Sequence, residues 1–335
     1  MTEIAITDVT ELQNMKNDLN GHYYLANDIN CSETSEWNGG AGFEPVGWLT
    51  SFLGTLDGRG HKISNLFINR PEEAFVGLFG MLDDQASVQE ALLIDVDITG
   101  FYCVGALAGY HGPPMDTISK CCASGSVTGL QYVGGLVGAN EGAISKSYSL
   151  CTVTSPSLAG GLVGENHGPL SNVYSAGVVI GEHTVGGLVG RSTFTAILNA
   201  FSICTVIGDE YVGGLMGFHD SGGVTIRNSF ATGAVDQEAS DAGGLVGRNL
   251  DDIVNSFWDV YRSGQANCCG SVDAPTECTP KNAGNAEPDY WFFKAHSPID
   301  AWDFTSIWGI QEGISFPYLQ WQELCDAPCS FLGEE

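Results

Sequence analysis

Apolar residues in this chain come in short blocks that recur at a long, nearly constant interval. The series begins with Val76-Gly-Leu-Phe-Gly80, Val104-Gly-Ala-Leu-Ala-Gly109 and Val133-Gly-Gly-Leu-Val-Gly138. It continues with Ala159-Gly-Gly-Leu-Val-Gly164, Val185-Gly-Gly-Leu-Val-Gly190, Val212-Gly-Gly-Leu-Met-Gly217 and Ala242-Gly-Gly-Leu-Val-Gly247. Their leucines, Leu78, Leu107, Leu136, Leu162, Leu188, Leu215 and Leu245, lie 29, 29, 26, 26, 27 and 30 residues apart. A second column keeps step: Ile118-Ser-Lys-Cys-Cys122, Ile144-Ser-Lys-Ser-Tyr148, Leu170-Ser-Asn-Val-Tyr174, Ile197-Leu-Asn-Ala-Phe201, Ile226-Arg-Asn-Ser-Phe230 and Ile253-Val-Asn-Ser-Phe257. Val88 and Ile63-Ser64-Asn65-Leu66 read as degenerate earlier members. A third, shorter element follows, as in Gly125-Ser-Val-Thr128 and Cys151-Thr-Val-Thr154.

Each repeat thus holds three short β-prone pieces separated by turn residues such as Ala139-Asn140-Glu141-Gly142, and residues 60–260 contain no amphipathic helix of useful length. A repeat of this length is one coil of a solenoid. The expected fold is all-β: a right-handed parallel β-helix of about eight coils, stacked at roughly 4.8 Å. The glycines allow tight turns and close strand approach. A phosphate-cradling use is a poor reading, because neither a helix nor Lys-Ser/Thr follows. One detail conflicts with a plain strand. Strict alternation puts the leucine of Val-Gly-Gly-Leu-Val-Gly on the opposite face from its flanking valines, which requires a strand covered on both faces or a bulge.

A solenoid must hide its open ends. Residues 1–60 are expected to form the N-terminal cap and first coil, 61–260 the repeats, and 261–335 a C-terminal cap. Thr7 to Asn20 fits a capping helix, with Asp8 or Thr10 as N-cap, Val9, Leu12, Met15 and Leu19 as its apolar face, and Gly21 as the stop. The C-terminal segment holds Trp291, Trp302, Trp308 and Trp321 with Phe292, Phe293, Phe304 and Phe316, suited to covering the last coil. An aromatic carbohydrate platform is the alternative.

Composition narrows the functional classes. The chain carries 12 Lys plus Arg against 40 Asp plus Glu, a net charge of −28, in 335 residues. That argues against nucleic acid and anionic membrane surfaces, which need clustered cations. No run of 18 apolar residues is present, so no membrane-inserted segment is expected. A solvated acidic shell is the simple reading, and Ca²⁺ is the cofactor that this acidity leaves open. Met1-Thr2-Glu3-Ile4-Ala5 lacks the pattern of a signal peptide. Eleven cysteines favour an exported, extracellular or cell-surface setting over a cytoplasmic one.

These repeats resemble the GLUG-motif family, whose units read much like VGGLVG followed by I-x-N-S-Y-S. The likeness extends to the lead-in Leu19-Asn-Gly-His-Tyr-Tyr-Leu-Ala-Asn-Asp-Ile29 and to Phe43-Glu-Pro-Val-Gly47. It takes in Phe52-Leu-Gly-Thr-Leu-Asp-Gly-Arg-Gly-His-Lys-Ile-Ser-Asn-Leu66 as well. The close, Ala301-Trp-Asp-Phe-Thr-Ser-Ile-Trp-Gly-Ile310 and Phe316-Pro-Tyr-Leu-Gln-Trp321, is similar to the family's C-terminal ending. The resemblance implies a surface or secreted setting, as in adhesin-like proteins and accessory regions of secreted peptidases, and brings no catalytic residues with it.

Candidate chemistry is sparse. There is no H-E-x-x-H and no G-x-S-x-G. His22, His61, His111, His167, His183, His219 and His296 share no repeat column, and His111, His167 and His219 fall in the turn after GLVG, where exposure is the default. Asp95/Asp97 and Asp251/Asp252 read as solvated pairs, with cation binding or acid–base work the sharper alternative. An ice-binding Thr-x-Thr row is started by Thr152-Val-Thr154 but broken by Val178-Val-Ile180. The function these features favour is a non-catalytic binding or scaffold protein whose partners are surface glycans or other proteins. A polysaccharide lyase or hydrolase is the alternative.

Register also constrains the cysteines. Cys151 and Cys204 share a column with Gly177 between them, two coils apart and roughly 9–10 Å, too far for a disulfide. Cys268, Cys269, Cys278, Cys325 and Cys329 lie in loop-like sequence and are the candidates for one or two disulfides; a zinc site there lacks paired C-x₂-C spacing. Mass spectrometry of the unreduced protein should find at least one linked pair among these five, and five unlinked thiols would refute the assignment.

Overall fold

The computed structural model describes residues 2–83, 85–113, 117–220, 222–223, 225–272 and 290–324. Within them the chain is a parallel β-solenoid whose coils are joined by two long sheets, one of 25 strands and one of 8. The coil that starts at Gln131 is representative. Gln131–Gly134 lies in the larger sheet, Val137–Asn140 in the smaller, and Ala143–Ser145 and Tyr148–Gly160 return the chain to the larger sheet. Like sits over like at each step. Phe79, Ala108, Val137, Val163, Val189, Met216, Val246 and Cys269 form one eight-step column of the smaller sheet. Val88, Ile118, Ile144, Leu170, Ile197, Ile226 and Ile253 form another.

The alternation problem is resolved by a corner. The strand stops at Gly134 and a new one begins in the other sheet at Val137, so Gly135-Leu136 bends rather than extends. Val133, Leu136 and Val137 therefore all point into one core and are fully buried. Leu78, Leu107, Leu162, Leu188, Leu215 and Leu245 are equally buried at the same corner. Neither a bulge nor a doubly covered strand is needed.

The second glycine of the corner answers a specific steric demand. Opposite it runs the column Ser149, Ser175, Ser202, Ala231 and Trp258. A Cβ on Gly135 would overlap the Ser149 hydroxyl, one on Gly187 the Ser202 hydroxyl, and one on Gly244 the Trp258 ring. The walls are joined there: the Ser175 hydroxyl donates to the Gly187 carbonyl at 2.7 Å. Backbone-to-hydroxyl bonds also stiffen the wall, since Cys151 N donates to Ser149 Oγ and Cys204 N to Ser202 Oγ, each at 3.2 Å. The Ile-x-Asn pattern has a different cause. Lys120, Lys146, Asn172, Asn199, Asn228 and Asn255 occupy the left-handed region, with φ from 48° to 54°, which Asn tolerates best among residues with a side chain.

Column assignment differs from expectation at one early member. Ile63 pairs with Leu93, in the column that becomes Ser149, while Leu56 is the residue that stacks under Val88. In that coil the hydrophobic spacing of the later repeats is not kept, so its register cannot be read from them.

At the N-terminus, Ile4–Ile6 pairs with His22–Leu25. The helix Val9–Asn14 follows, Asp8 accepting from Glu11 N at 2.8 Å as its cap. Val9, Leu12 and Met15 are buried and Leu19 packs on the core, as the apolar pattern predicts.

At the other end the aromatic residues do more than cover a last coil. Tyr148, Tyr174, Phe201, Phe230 and Phe257 form an outward ladder with ring centroids 4.7 to 4.9 Å apart, close to parallel. Trp291 stacks on Phe257 at 4.0 Å, in the manner of a cap. Trp302, Trp308 and Trp321 instead lie along the ladder's side, Trp321 reaching back to Tyr148 and Tyr174. Trp302 Nε1 anchors the segment by donating to Asn255 O at 2.8 Å. The physical reason is the ladder itself. A row of large apolar rings on the outer surface must be dried, and each ring contact adds roughly 1 kcal/mol beyond its area.

Among the cysteines, Cys151 and Cys204 are buried thiols in one column with Gly177 between them, as the register requires. Cys268 is disulfide-bonded. Cys269 corrects its assignment as a disulfide candidate. It is a thiol that continues the Val246 column, its pKa pushed up to about 12 by burial. Cys278, Cys325 and Cys329 lie outside the described residues.

Replacing Gly187 by Ala should be severely destabilising, by roughly 3 kcal/mol or more, because its methyl would meet the Gly214 carbonyl and the Ser202 hydroxyl. Ala at Gly60, whose ideal Cβ meets nothing within 4 Å although its φ is 74°, should cost about 1 kcal/mol. Urea denaturation of the two variants checks the order.

Candidate functional site

Two polar systems emerge from the stacking of residues one and two positions past the glycine that ends each repeat block. The first is internal. Leu82, His111, Asn140, Asn166, Ser192, His219 and Asn249 form one inward column of the smaller sheet. All but Leu82 are polar, and every polar member is fully buried. Asn140 Nδ2 donates to Asn166 Oδ1 at 2.7 Å and to Gly142 O at 3.0 Å, and Asn166 Nδ2 donates to Ser192 Oγ at 3.1 Å. His111 Nδ1 donates to Asn140 Oδ1 at 2.6 Å, and His219 Nδ1 makes the matching bond to Asn249 Oδ1. Both Nε2 atoms are buried without a partner among the described residues, which a neutral ring with its proton on Nδ1 tolerates as a bare acceptor. The expectation that His111 and His219 face solvent, outside any common column, is therefore corrected. They are core residues of one column, because strands of the smaller sheet extend two residues past the glycine and the second side chain points inward.

The second system lies on the outside of the same sheet. Met81, Tyr110, Ala139, Glu165, Arg191, Phe218, Arg248 and Ser271 form the outward column. Arg191 is held from both sides, its Nη2 donating to Asp220 Oδ2 at 2.5 Å and its Nη1 lying 3.8 Å from Glu165 Oε1. Its guanidinium also stands 5.6 Å from the Phe218 ring centroid, with Arg248 5.3 Å from the same ring. His167 completes the group: Nε2 lies 3.3 Å from Glu165 Oε1, and Nδ1 contacts Thr193 Oγ1. Of the three histidines of this turn, it is the one that is partly exposed.

The charges are mutually adjusted. Burial would raise the Glu165 pKa, but hydrogen bonding from His167, the positive charges of His167 and Arg191, and a bond from Tyr132 outweigh it and hold the carboxyl below its ordinary value. His167 is raised, first by its hydrogen bond to Glu165, against burial and the Arg191 charge. Tyr132 is raised by burial and then by its bond to Tyr102. The cluster spans residues that no local motif links, so repeat register was the signal that could have found it.

The acids nominated from sequence do not join it. Asp95 and Asp97 sit on the other sheet, where Ser126 Oγ donates to Asp97 at 3.1 Å, and Asp251 accepts from Gly223 N at 2.7 Å and from Asp252 N at 2.8 Å in a turn. Among the described residues, no group of three or more His, Cys, Asp or Glu is gathered as for a metal ion, and no helix is long and apolar enough to cross a membrane.

No protein-family model matches the chain. Partial similarity is found to halomucin of Haloquadratum walsbyi, 39% identical over 143 residues, which are 41% of this chain and 2% of that protein. A stretch of 139 residues is 32% identical to the immunoglobulin A1 protease of Streptococcus sanguinis, covering 40% of this chain and 7% of the relative. Another of 125 residues is 31% identical to a "Putative Gly-rich membrane protein" of Evansella cellulosilytica, 34% and 14% of the two chains. The matched stretches are therefore small parts of the relatives. In three dimensions the chain resembles the crystal structure of a "putative immunoglobulin A1 protease" from Bacteroides ovatus, with a TM-score of 0.52 at 19% identity over 96% of this chain and 93% of that one. At that identity the likeness supports the β-solenoid fold.

The internal column sets a pH dependence. Burial pushes the His111 pKa down from 6.5 to about 4, against the hydrogen bond to Asn140. Below about 6.5 the unfolded chain takes up this proton while the folded one refuses it. Its contribution is intact above 6.5 and falls away towards pH 4, by roughly 3 kcal/mol. His111→Asn, which extends the amide ladder, should lose less stability than wild type between pH 7 and pH 4 in urea melts. Parallel losses would refute the burial of a neutral ring.

Proposed function

We propose that this chain is a non-catalytic solenoid segment of a surface or secreted protein, built from GLUG-type repeats and presenting its lateral face for binding, in the manner of an adhesin. The observation that carries this reading is the nature of the similarity. Stretches of 125 to 143 residues, about five coils at the repeat length of this chain, recur as 2% to 14% of proteins with different names: halomucin, a Gly-rich membrane protein and an immunoglobulin A1 protease. What such proteins have in common with this chain is the coil, and the activity in the protease's name belongs to a protein of which the matched stretch is 7%. The stacked architecture supports the same view. Coils that touch only their neighbours make a rigid spacer and a long face, and a net charge of −28 keeps that face hydrated.

A polysaccharide-active enzyme is the second reading, favoured by one observation: Tyr132, Glu165, His167 and Arg191 converge from different coils on the outer face. The two separate in one experiment. The purified chain, applied to a glycan array and assayed for turnover of pectate, alginate and immunoglobulin A1, should bind without cleaving. Turnover of any of these substrates would overturn the proposal.

A further inference from the structure

We propose that the outer face around Arg191 is a binding site for an uncharged saccharide, with Arg191 and Asp220 meeting its hydroxyl groups and Phe218 its C–H face. The inference rests on the surface-binding reading and adds a location and a ligand class to it.

The first argument is placement. A chain with only 12 Lys and Arg sets Arg191 and Arg248 around one ring, in a column where the other outward residues are Met81, Tyr110, Ala139, Glu165, Phe218 and Ser271. The second is unused capacity. A guanidinium has five N–H donors in a fixed fork. Among the described residues Arg191 commits to Asp220 one of the N–H groups on its terminal nitrogens, and Nη1 is 3.8 Å from Glu165, beyond direct hydrogen bonding; Nε is buried and out of reach of a ligand. A group so firmly oriented and so little used for folding is matched to an external acceptor.

The charges decide the class of ligand. Glu165 and Asp220 flank Arg191, so an anionic group brought to the guanidinium would meet two carboxylates at close range. A sugar hydroxyl suits the site better, since its oxygen accepts from Arg191 while its proton goes to Asp220. Neighbouring hydroxyls on a pyranose repeat this donor–acceptor pairing, and its C–H surface can lie against a half-buried aromatic ring such as Phe218. Glu165, largely covered, acts as a positioning residue that holds Arg191 and His167 in place. Because the residues stand on successive coils fixed by the sheet, little conformational freedom is lost on binding.

Isothermal titration with cellopentaose, mannopentaose and chitopentaose, and with pectate as the anionic probe, tests this on the full chain. At least one neutral oligomer should bind, and Arg191→Lys, which keeps the charge but loses the fork, should weaken it at least 10-fold. Phe218→Ala, which leaves the ion pairs intact, should weaken the same oligomer several-fold. Thr152→Ala, on the other sheet, should bind as wild type. Circular dichroism melts of each variant report on folding. Neutral binding undiminished in both site variants would overturn the location while leaving the surface-binding reading intact. Binding of pectate alone would overturn the ligand class. Failure to bind any of the four probes would overturn the inference itself, whereas the broader reading is judged by the array and the turnover assays.

Discussion

The structure depends on how closely two walls of the coil approach. In the corners of Gly135, Gly161, Gly187, Gly214 and Gly244 the second glycine faces a serine, an alanine or, in one coil, a tryptophan on the opposite wall, with no room for a methyl between them, while an earlier corner carries Ala106 in its place. This contact sets the width of the core, and width sets the rest. A narrow core forces the chain to turn sharply at Gly-Leu, and the turn sends the flanking valines and the leucine into the same interior. It also throws the aromatic residue beside each serine outward, where it becomes a rung of the ladder. The pairing of GGLVG with an aromatic–serine element is therefore a single geometric fact seen at two places in the sequence.

Much of this was legible because stacking turns sequence period into spatial contact. The leucine spacing predicts the coils, and the shared column of Cys151, Gly177 and Cys204 follows from counting alone. What escapes a reading of the sequence is direction. A residue one place beyond His111's position points outward, and His167 sits there while His111 points in. Two histidines that look alike in a turn thus end in opposite environments. The cluster of Tyr132, Glu165, His167, Arg191 and Asp220 is hidden for a related reason, because its members come from different repeats and none is a repeated residue. Ile63 falls in another column than its sequence suggests, because the repeat has decayed there and counting has no anchor.

The two polar systems on either side of the smaller sheet show how one strand can serve opposite ends. Inward, amides and neutral imidazoles satisfy each other from coil to coil, and the buried imidazole resists protonation. Outward, ionised groups hold one another charged, and Glu165 stays a carboxylate despite its burial. The inner row ties coils together by hydrogen bonds from His111 through to Ser192 and again from His219 to Asn249. The outer row is irregular, with tyrosine, alanine, glutamate, arginine and phenylalanine in succession. Regularity inside and variety outside thus coexist on the same strands.

The side-lying C-terminal segment has an evolutionary consequence. A solenoid grows readily by duplicating a coil, since every coil offers the next the same surface. Here Trp291 meets the ring of Phe257 and Trp321 those of Tyr148 and Tyr174, so one continuous strap spans a fixed set of rungs. Beyond Tyr148 the column changes to Cys122 and Leu92, and the aromatic row ends. A duplicated coil within that span would lengthen the row but not the strap, and would leave a ring wet. The strap thus works as a ruler, restraining the repeat number of a fold that otherwise has no natural length.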